Sequence, residues 1–286
     1  MKSIVTGASG FIGTRLVKQL ESEEDEVIAL NSNDGDLSIC DIEDIVDFSE
    51  KYDRIFHLAA KTFVPNSWDF PEEFIQSNVL STLNVLNSCK RNNIPMIFLS
   101  AYIYGNQKEL PISESAIIQP SNPYAQSKYL CEELCRYYFR EFAIDITVLR
   151  PFNIYGPNQK SHFLLPEIIE QAGKGNIINV DSFNPRRDYL YIDDLIDAII
   201  LASKNISKYQ IYNIGSGYSI SVLELIQSVE RILGSSFEIT ERQKDRVNEI
   251  DDVVADIQSV EENLSWQPKT TLEDGLRKTL TEHGLC

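Results

Sequence analysis

With 286 residues, 43% of them hydrophobic, the chain is long enough for one large domain or two unequal ones around a full core. A formal net charge of −17 opposes any nucleic-acid backbone, no local basic face interrupts it, and an anionic ligand would need a few deliberately placed arginines. No apolar run approaches bilayer-spanning length, and the N-terminus, MKSIVTGASG, has no charged leader before a long apolar stretch, so a cytoplasmic protein without membrane contact is expected.

In chain order, KSIVTGA (2–8) reads as a strand and FIGTRLVKQLES (11–22) as a helix. EVIALN (26–31) is a strand, DIEDIVDFSEK (41–51) a helix and DRIFHLAA (53–60) a strand. PEEFIQSNVLSTLNVLNSCKRNN (71–93) reads as a long helix with Val79, Leu83 and Leu86 on one side. PMIFLSA (95–101) is a strand, PYAQSKYLCEELCRYYFREF (123–142) another long helix, and IDITVLRP (144–151) a strand. Apolar strands separated by helices predict an α/β, doubly wound parallel sheet with helices on both faces. After residue 153 the rhythm loosens: turns and a helix (153–176), a strand and helix (186–205), then a strand, a Gly-rich turn and a helix (211–234), with a last helix near the end. A large nucleotide domain (1–153) and a smaller lobe (154–286) are expected, with part of 180–205 returning to the first and a ligand cleft between them.

Five cysteines, Cys40, Cys89, Cys131, Cys135 and Cys286, form no C-x-x-C pair; Cys131 and Cys135 lie one helical turn apart and read as buried small residues. His57, His162 and His283 are too scattered for a metal site, and none is expected.

Three motifs carry chemistry. TGASGFIG places Gly7, Gly10 and Gly13 three apart, directly after the first strand and opening a helix with Phe11 and Ile12. Glycine there allows a tight turn and close approach of a dinucleotide's diphosphate, which the free N–H groups of a helix N-terminus then bind. The second motif is Tyr124 and Lys128, which share a helix face at i and i+4. Bringing a tyrosine from a pKa of about 10 to near 7 needs roughly 4 kcal/mol. A unit charge about 4 Å away at an effective dielectric of 20 supplies about that much. Such a tyrosine could exchange a proton with a substrate hydroxyl while hydride moves to or from a nicotinamide. The third motif is the end of the second strand. Asn31 stands where Asp or Glu would hold the 2′-hydroxyl of NAD, and it would not repel a 2′-phosphate. Arg15 is either a solvated helix cation or a partner for that phosphate, so NAD and NADP both stay open.

Together, G-x-x-G-x-x-G and Y-x-x-x-K resemble the extended short-chain dehydrogenase/reductase superfamily, in its branch that modifies nucleotide-sugars. HLAA (57–60), SNV (77–79), LSAYIYG (99–105), LRPFNIYGP (149–157), RRDYLYIDD (186–194) and LSWQPKTTLEDGL near the end are also family-like, so the resemblance covers nearly the whole chain. It implies a Rossmann-type sheet with a C-terminal substrate-binding lobe. It implies a catalytic hydroxyl at Ser100 and cofactor contacts from Asp36, Leu37, Leu58, Ala59, Ala60 and Asn78. Arg187 and Arg246 match arginines that hold a sugar nucleotide's diphosphate, with Asn153 on the nucleotide side and Ser67 facing the sugar. A homodimer through helices 71–91 and 123–142, and a place in polysaccharide biosynthesis, follow from the same likeness.

Three reactions share this scaffold. A 4,6-dehydratase carries Asp-Glu after the catalytic hydroxyl; here Ala101 and Tyr102 stand there, which argues against elimination. A nucleotide-linked 4-dehydro-6-deoxyhexose 4-reductase is preferred over a 4-epimerase on the short chain, the short loop after the second strand and the missing acid at Asn31. A dinucleotide-binding regulator without catalysis ranks lower, because Tyr124 and Lys128 are both kept.

Overall fold

The computed structural model describes residues 1–204, 206–242 and 249–286. The chain runs β1 (Lys2–Thr6), α1 (Phe11–Ser22), β2 (Glu26–Leu30), β3 (Arg54–His57), α2 (Val64–Asp69), α3 (Pro71–Phe74), a π-helical segment (Ile75–Leu80), α4 (Ser81–Asn92), β4 (Met96–Leu99), α5 (Pro123–Phe142) and β5 (Ile146–Pro151). There follow β6 (Asn153–Tyr155), α6 (Leu164–Lys174), β7 (Ile177–Val180), β8 (Arg186–Arg187), β9 (Tyr189–Tyr191), α7 (Ile192–Lys204), β10 (Tyr209–Ile214), β11 (Ile220–Ser221), α8 (Val222–Leu233), β12 (Glu238–Glu241), α9 (Gln258–Leu264) and α10 (Leu272–Glu282).

Successive strand residues point to opposite faces, and the core divides accordingly. Val5, Phe56, Ile97 and Leu149 face one side, where α1 and α7 supply Leu16, Leu20, Leu195 and Ile199. Ile4, Ile55, Phe98 and Val148 face the other, against Val85 and Leu86 of α4 and Cys131 and Cys135 of α5. Both faces are covered, as an all-parallel sheet requires. The six strands run β2-β1-β3-β4-β5-β10, every neighbouring pair parallel. The chain therefore leaves β1 in one direction to β2 and returns on its other side to β3. That reversal opens a crevice at the carboxyl ends of β1 and β3.

Many residues after 153 pack into the same core as the sheet. Leu165, Ile178, Leu225, Trp266 and Leu276 join the same cluster as Val5 and Leu149. Trp266 Nε1 also donates to the Asp194 carbonyl at 3.1 Å.

The helix expected over 41–51 is not formed: only Ile42–Asp44 makes a 3₁₀ turn. Asp41 accepts from Glu43 N, Asp44 from Asp41 N and Asp47 from Ser49 N, so the side chains capture the backbone in turns. A helix would also stack Glu43, Asp44, Asp47 and Glu50 at like-charge i, i+3 and i+4 spacings.

Candidate active site

The nucleotide cradle lies at the switch point. Gly7 has φ +71, and a Cβ on it would sit 2.7 Å from Ala59 N. The first turn therefore lies directly on the segment Leu58–Ala60 that leaves β3. A Cβ on Gly13 would stand 2.2 Å from the Gly7 carbonyl oxygen, so α1 is pressed onto the same turn. Gly10 is the N-cap of α1 and supplies no side-chain cap, and the helix starts with Phe11 and Ile12. Its first N–H groups are left for an anion, and together with the helix dipole they fit a dinucleotide's diphosphate.

The segment after β3 is cross-braced by Asn78. Its Oδ1 accepts from Lys61 N (2.7 Å), and its Nδ2 donates to Lys61 O (3.1 Å) and Ser127 Oγ (2.9 Å). Asn78 sits in the π-helical segment, a widening that turns it inward between α4 and α5. Leu37 is buried, and its carbonyl is held by Asn84 Nδ2 at 2.8 Å. Asp36 accepts from Ser38 N at 2.9 Å, a bond that holds its carboxyl below the usual range. Asn31 Oδ1 accepts from Asn33 N (2.9 Å), and Asp34 Oδ2 accepts from Asn31 N (2.8 Å). This turn brings the carboxylate of Asp34 to the end of β2, a residue the sequence reading passed over. Arg15 Nη1 meets Asp193 Oδ1 at 2.6 Å and is engaged there.

Tyr124 and Lys128 lie on α5, whose start is fixed by Asn122 accepting from Ala125 N at 2.8 Å. Tyr124 is half-buried against Ala101, Ile103 and Ala125, with Phe74 edge-on at 6.3 Å. Lys128 is 2% exposed, and its Nζ lies 4.3 Å from the centre of the Phe98 ring. Burial raises the Tyr124 pKa, with the Cys131 thiol as the second cause, a direction opposite to the lowering expected from Lys128. Lys128 itself is lowered, chiefly by burial. Desolvation outweighs an ammonium that is directed at an aromatic face instead.

Ser100, at the end of β4, is 4% exposed and donates to Glu132 Oε1 at 2.5 Å. Glu132 lies one further turn along the row of Tyr124 and Lys128, is fully buried, and is paired with Arg150 through Nη2 (2.6 Å) and Nε (3.0 Å). Sequence reasoning missed this pair. The signal was an arginine inside the otherwise apolar strand ITVLRP, which needs a buried partner.

Arg187 donates to Ile250 O (2.7 Å) and Arg186 O (2.8 Å) and pairs with Glu249. Asn153 Nδ2 donates to Asp188 O at 3.2 Å. Ser67 is fully buried and donates to Val64 O at 2.7 Å, within its own helical turn. Arg246 lies outside the described residues. Among the described residues no cluster of His, Cys, Asp and Glu could hold a metal ion, and no helix is long and apolar enough to cross a membrane.

The signature of the NAD dependent epimerase/dehydratase family matches residues 3–215. The GDP-6-deoxy-D-mannose reductase of Pseudomonas aeruginosa is 30% identical over 97% of this chain and 95% of its own. The crystal structure of UDP-glucose 4-epimerase from Thermotoga maritima with UDP-glucose superposes with a TM-score of 0.93 over 99% of each chain, at 26% identity. The structure of RMD from Pseudomonas aeruginosa complexed with NADPH gives a TM-score of 0.90 over 98% of each chain, at 29% identity. The likeness therefore extends over the sheet and the later lobe alike.

Proposed function

This chain belongs to the NAD dependent epimerase/dehydratase family, and from that premise we propose that it reduces the 4-keto group of a nucleotide-diphosphate 4-dehydro-6-deoxyhexose. Gly7, Gly10, Phe11, Ile12 and Gly13 would hold the diphosphate of NAD(P), and Leu58, Ala59, Ala60 and Asn78 would line its nicotinamide end. When bound, the reduced cofactor supplies the hydride for carbon 4. Tyr124 carries the proton for the sugar oxygen, Ser100 meets that same oxygen, and Lys128 provides positive charge beneath. Arg187 and Arg246 would take the diphosphate, with Asn153 flanking the nucleotide; Ser67, buried and bonded to Val64 O, is left out of the sugar site.

The observation that carries the reading is geometric: Tyr124 and Lys128 share one face of α5, and Ser100 sits at the end of β4. A reductase starts from a protonated phenol, the form towards which burial shifts Tyr124. Elimination has no support, because Tyr102 donates to Gly105 O and is itself pushed up by burial. A 4-epimerase is the second reading, favoured by the superposition on UDP-glucose 4-epimerase. Asp34 at the end of β2 favours NAD over NADP, since a 2′-phosphate would face its carboxylate. The product would be a glycosyl donor of the kind used in polysaccharide biosynthesis, made in the cytoplasm by a homodimer.

Tyr124→Phe tests the assignment. Turnover of a 4-keto-6-deoxy sugar nucleotide should fall by about 10²–10⁴-fold while cofactor affinity is kept. Full turnover in that variant would remove Tyr124 from the chemistry.

A further inference from the structure

Asp188 joins β8 to β9 and is fully buried. A buried carboxyl group is costly unless donors surround it, and here four converge. Ser216 N and Ser216 Oγ reach its Oδ1, each at 2.6 Å, while Gly217 N (3.1 Å) and Ala255 N (3.0 Å) reach its Oδ2. Gly215 makes room for this approach: a Cβ there would stand 2.7 Å from Asp188 Oδ2 and 2.5 Å from Ala255 Cβ. The backbone of the same residue holds Asn153. The Asp188 carbonyl accepts from Asn153 N at 3.0 Å and from Asn153 Nδ2 at 3.2 Å. The two residues before it grip the 250–255 segment, with Arg186 N donating to Asp251 O (2.8 Å) and Arg187 Nη1 to Ile250 O (2.7 Å). Asp188 thus ties the turn between β10 and β11, the 250–255 segment and the start of β6 to one point. Arg187 precedes that point in the chain, and Asn153 is bonded to it.

We propose that Asp188 is a positioning residue for the nucleotide end of the substrate, fixing Arg187 and Asn153 relative to each other so that both meet a nucleoside diphosphate. This rests on the reading of Arg187 and Asn153 as sugar-nucleotide contacts. Asp188 has no exposed surface of its own and acts through its neighbours. A guanidinium and an amide already held in place lose less freedom on binding than the same groups on untethered loops. The segments proposed to hold the cofactor, Gly7–Gly13 and Leu58–Ala60, supply none of the four donors. Loss of the clasp is therefore felt by the sugar nucleotide and not by the cofactor. An amide at this position has one acceptor oxygen. Whichever way it lies, a backbone N–H on its other side meets N–H₂ in place of an acceptor, and the clasp loosens.

The test titrates the NAD-loaded protein with UDP and with GDP by calorimetry, since each carries the base, ribose and diphosphate of a nucleotide-sugar. Asp188→Asn should weaken whichever of the two the unmodified protein binds by about tenfold or more, and change NAD affinity by less than about twofold. A merely structural role would lower the Tm and the fraction of protein that binds while leaving the Kd of that fraction as it was, and this result would overturn the proposal. Ser216→Ala removes only the hydroxyl donor and keeps the backbone N–H, so it stands in if Asp188→Asn does not fold. It should weaken the same nucleotide by about threefold, and an unchanged Kd would overturn the proposal there too. Arg187→Ala separates this proposal from the reading beneath it. A loss with Arg187→Ala and none with Asp188→Asn would defeat the positioning role alone. No loss with Arg187→Ala would remove Arg187 from the nucleotide site and end both readings. Failure of the unmodified protein to bind either nucleotide would defeat the proposed function as well.

Discussion

His57 shows how a single buried side chain is held in one protonation state. Thr82 Oγ donates to Asn78 O, so it must accept from His57 Nε2–H. Nδ1 then accepts from Thr6 Oγ, which itself accepts from Ala59 N. The neutral ring satisfies every partner, and burial together with the nearby Lys128 charge pushes its pKa down to about 3. The unfolded chain takes up a proton near 6.5, so this stabilisation is complete above that pH and is lost as pH falls towards 3. The loss is about 5 kcal/mol at most. His57→Gln should therefore show a shallower fall of Tm between pH 6.5 and 4 than the unmodified protein. Parallel curves would contradict the account. At this scale the sequence disclosed residues whose spacing along one element carries meaning, such as Tyr124 with Lys128. It did not disclose Glu132 with Arg150 or Asn31 with Asp34, because those pairings depend on how α5 meets β5 and how a four-residue turn closes.

The β1–turn–α1 unit depends on the absence of side chains at two places. Gly13→Ala would put a methyl group 2.2 Å from the Gly7 carbonyl oxygen and 2.8 Å from Ala8 Cα, and α1 would have to withdraw from the cradle. Cofactor affinity should drop by more than about tenfold, on the scale of one lost hydrogen bond or more. Gly175→Ala, which meets nothing within 4 Å, should leave it unchanged. Titration of both variants decides the matter, and normal binding by Gly13→Ala would sink this role for the turn. Elements with strong apolar periodicity were readable in advance, as in α1, α5 and β5. The segment 41–51 was not, since its isoleucines and valine imitate a helix while its acidic residues bond to their own backbone. The π-helical turn at 75–80 was equally hidden, because no residue type marks where a helix widens.

At the level of the whole molecule, the β1/β3 reversal sets the cradle, and α5 carries Tyr124 and Lys128 beside it. α2 bears Trp68, α5 bears Leu130 and Tyr137, and Phe70 follows α2, all more than a third exposed. Exposed large apolar side chains on these helices are where a second copy would bind in the proposed homodimer. Sedimentation should give twice the 32.6 kDa of one chain, and Leu130→Glu should halve it. A mass of one chain at every concentration would contradict the homodimer. The central claim, that this chain reduces a C4 ketone, is tested most directly by mixing the purified protein with a nucleotide-linked 4-keto-6-deoxyhexose and reduced cofactor. Absorbance of the reduced nicotinamide should fall in proportion to sugar consumed, faster with NADH than with NADPH. Interconversion of 4-epimers with no net loss of that absorbance would contradict it.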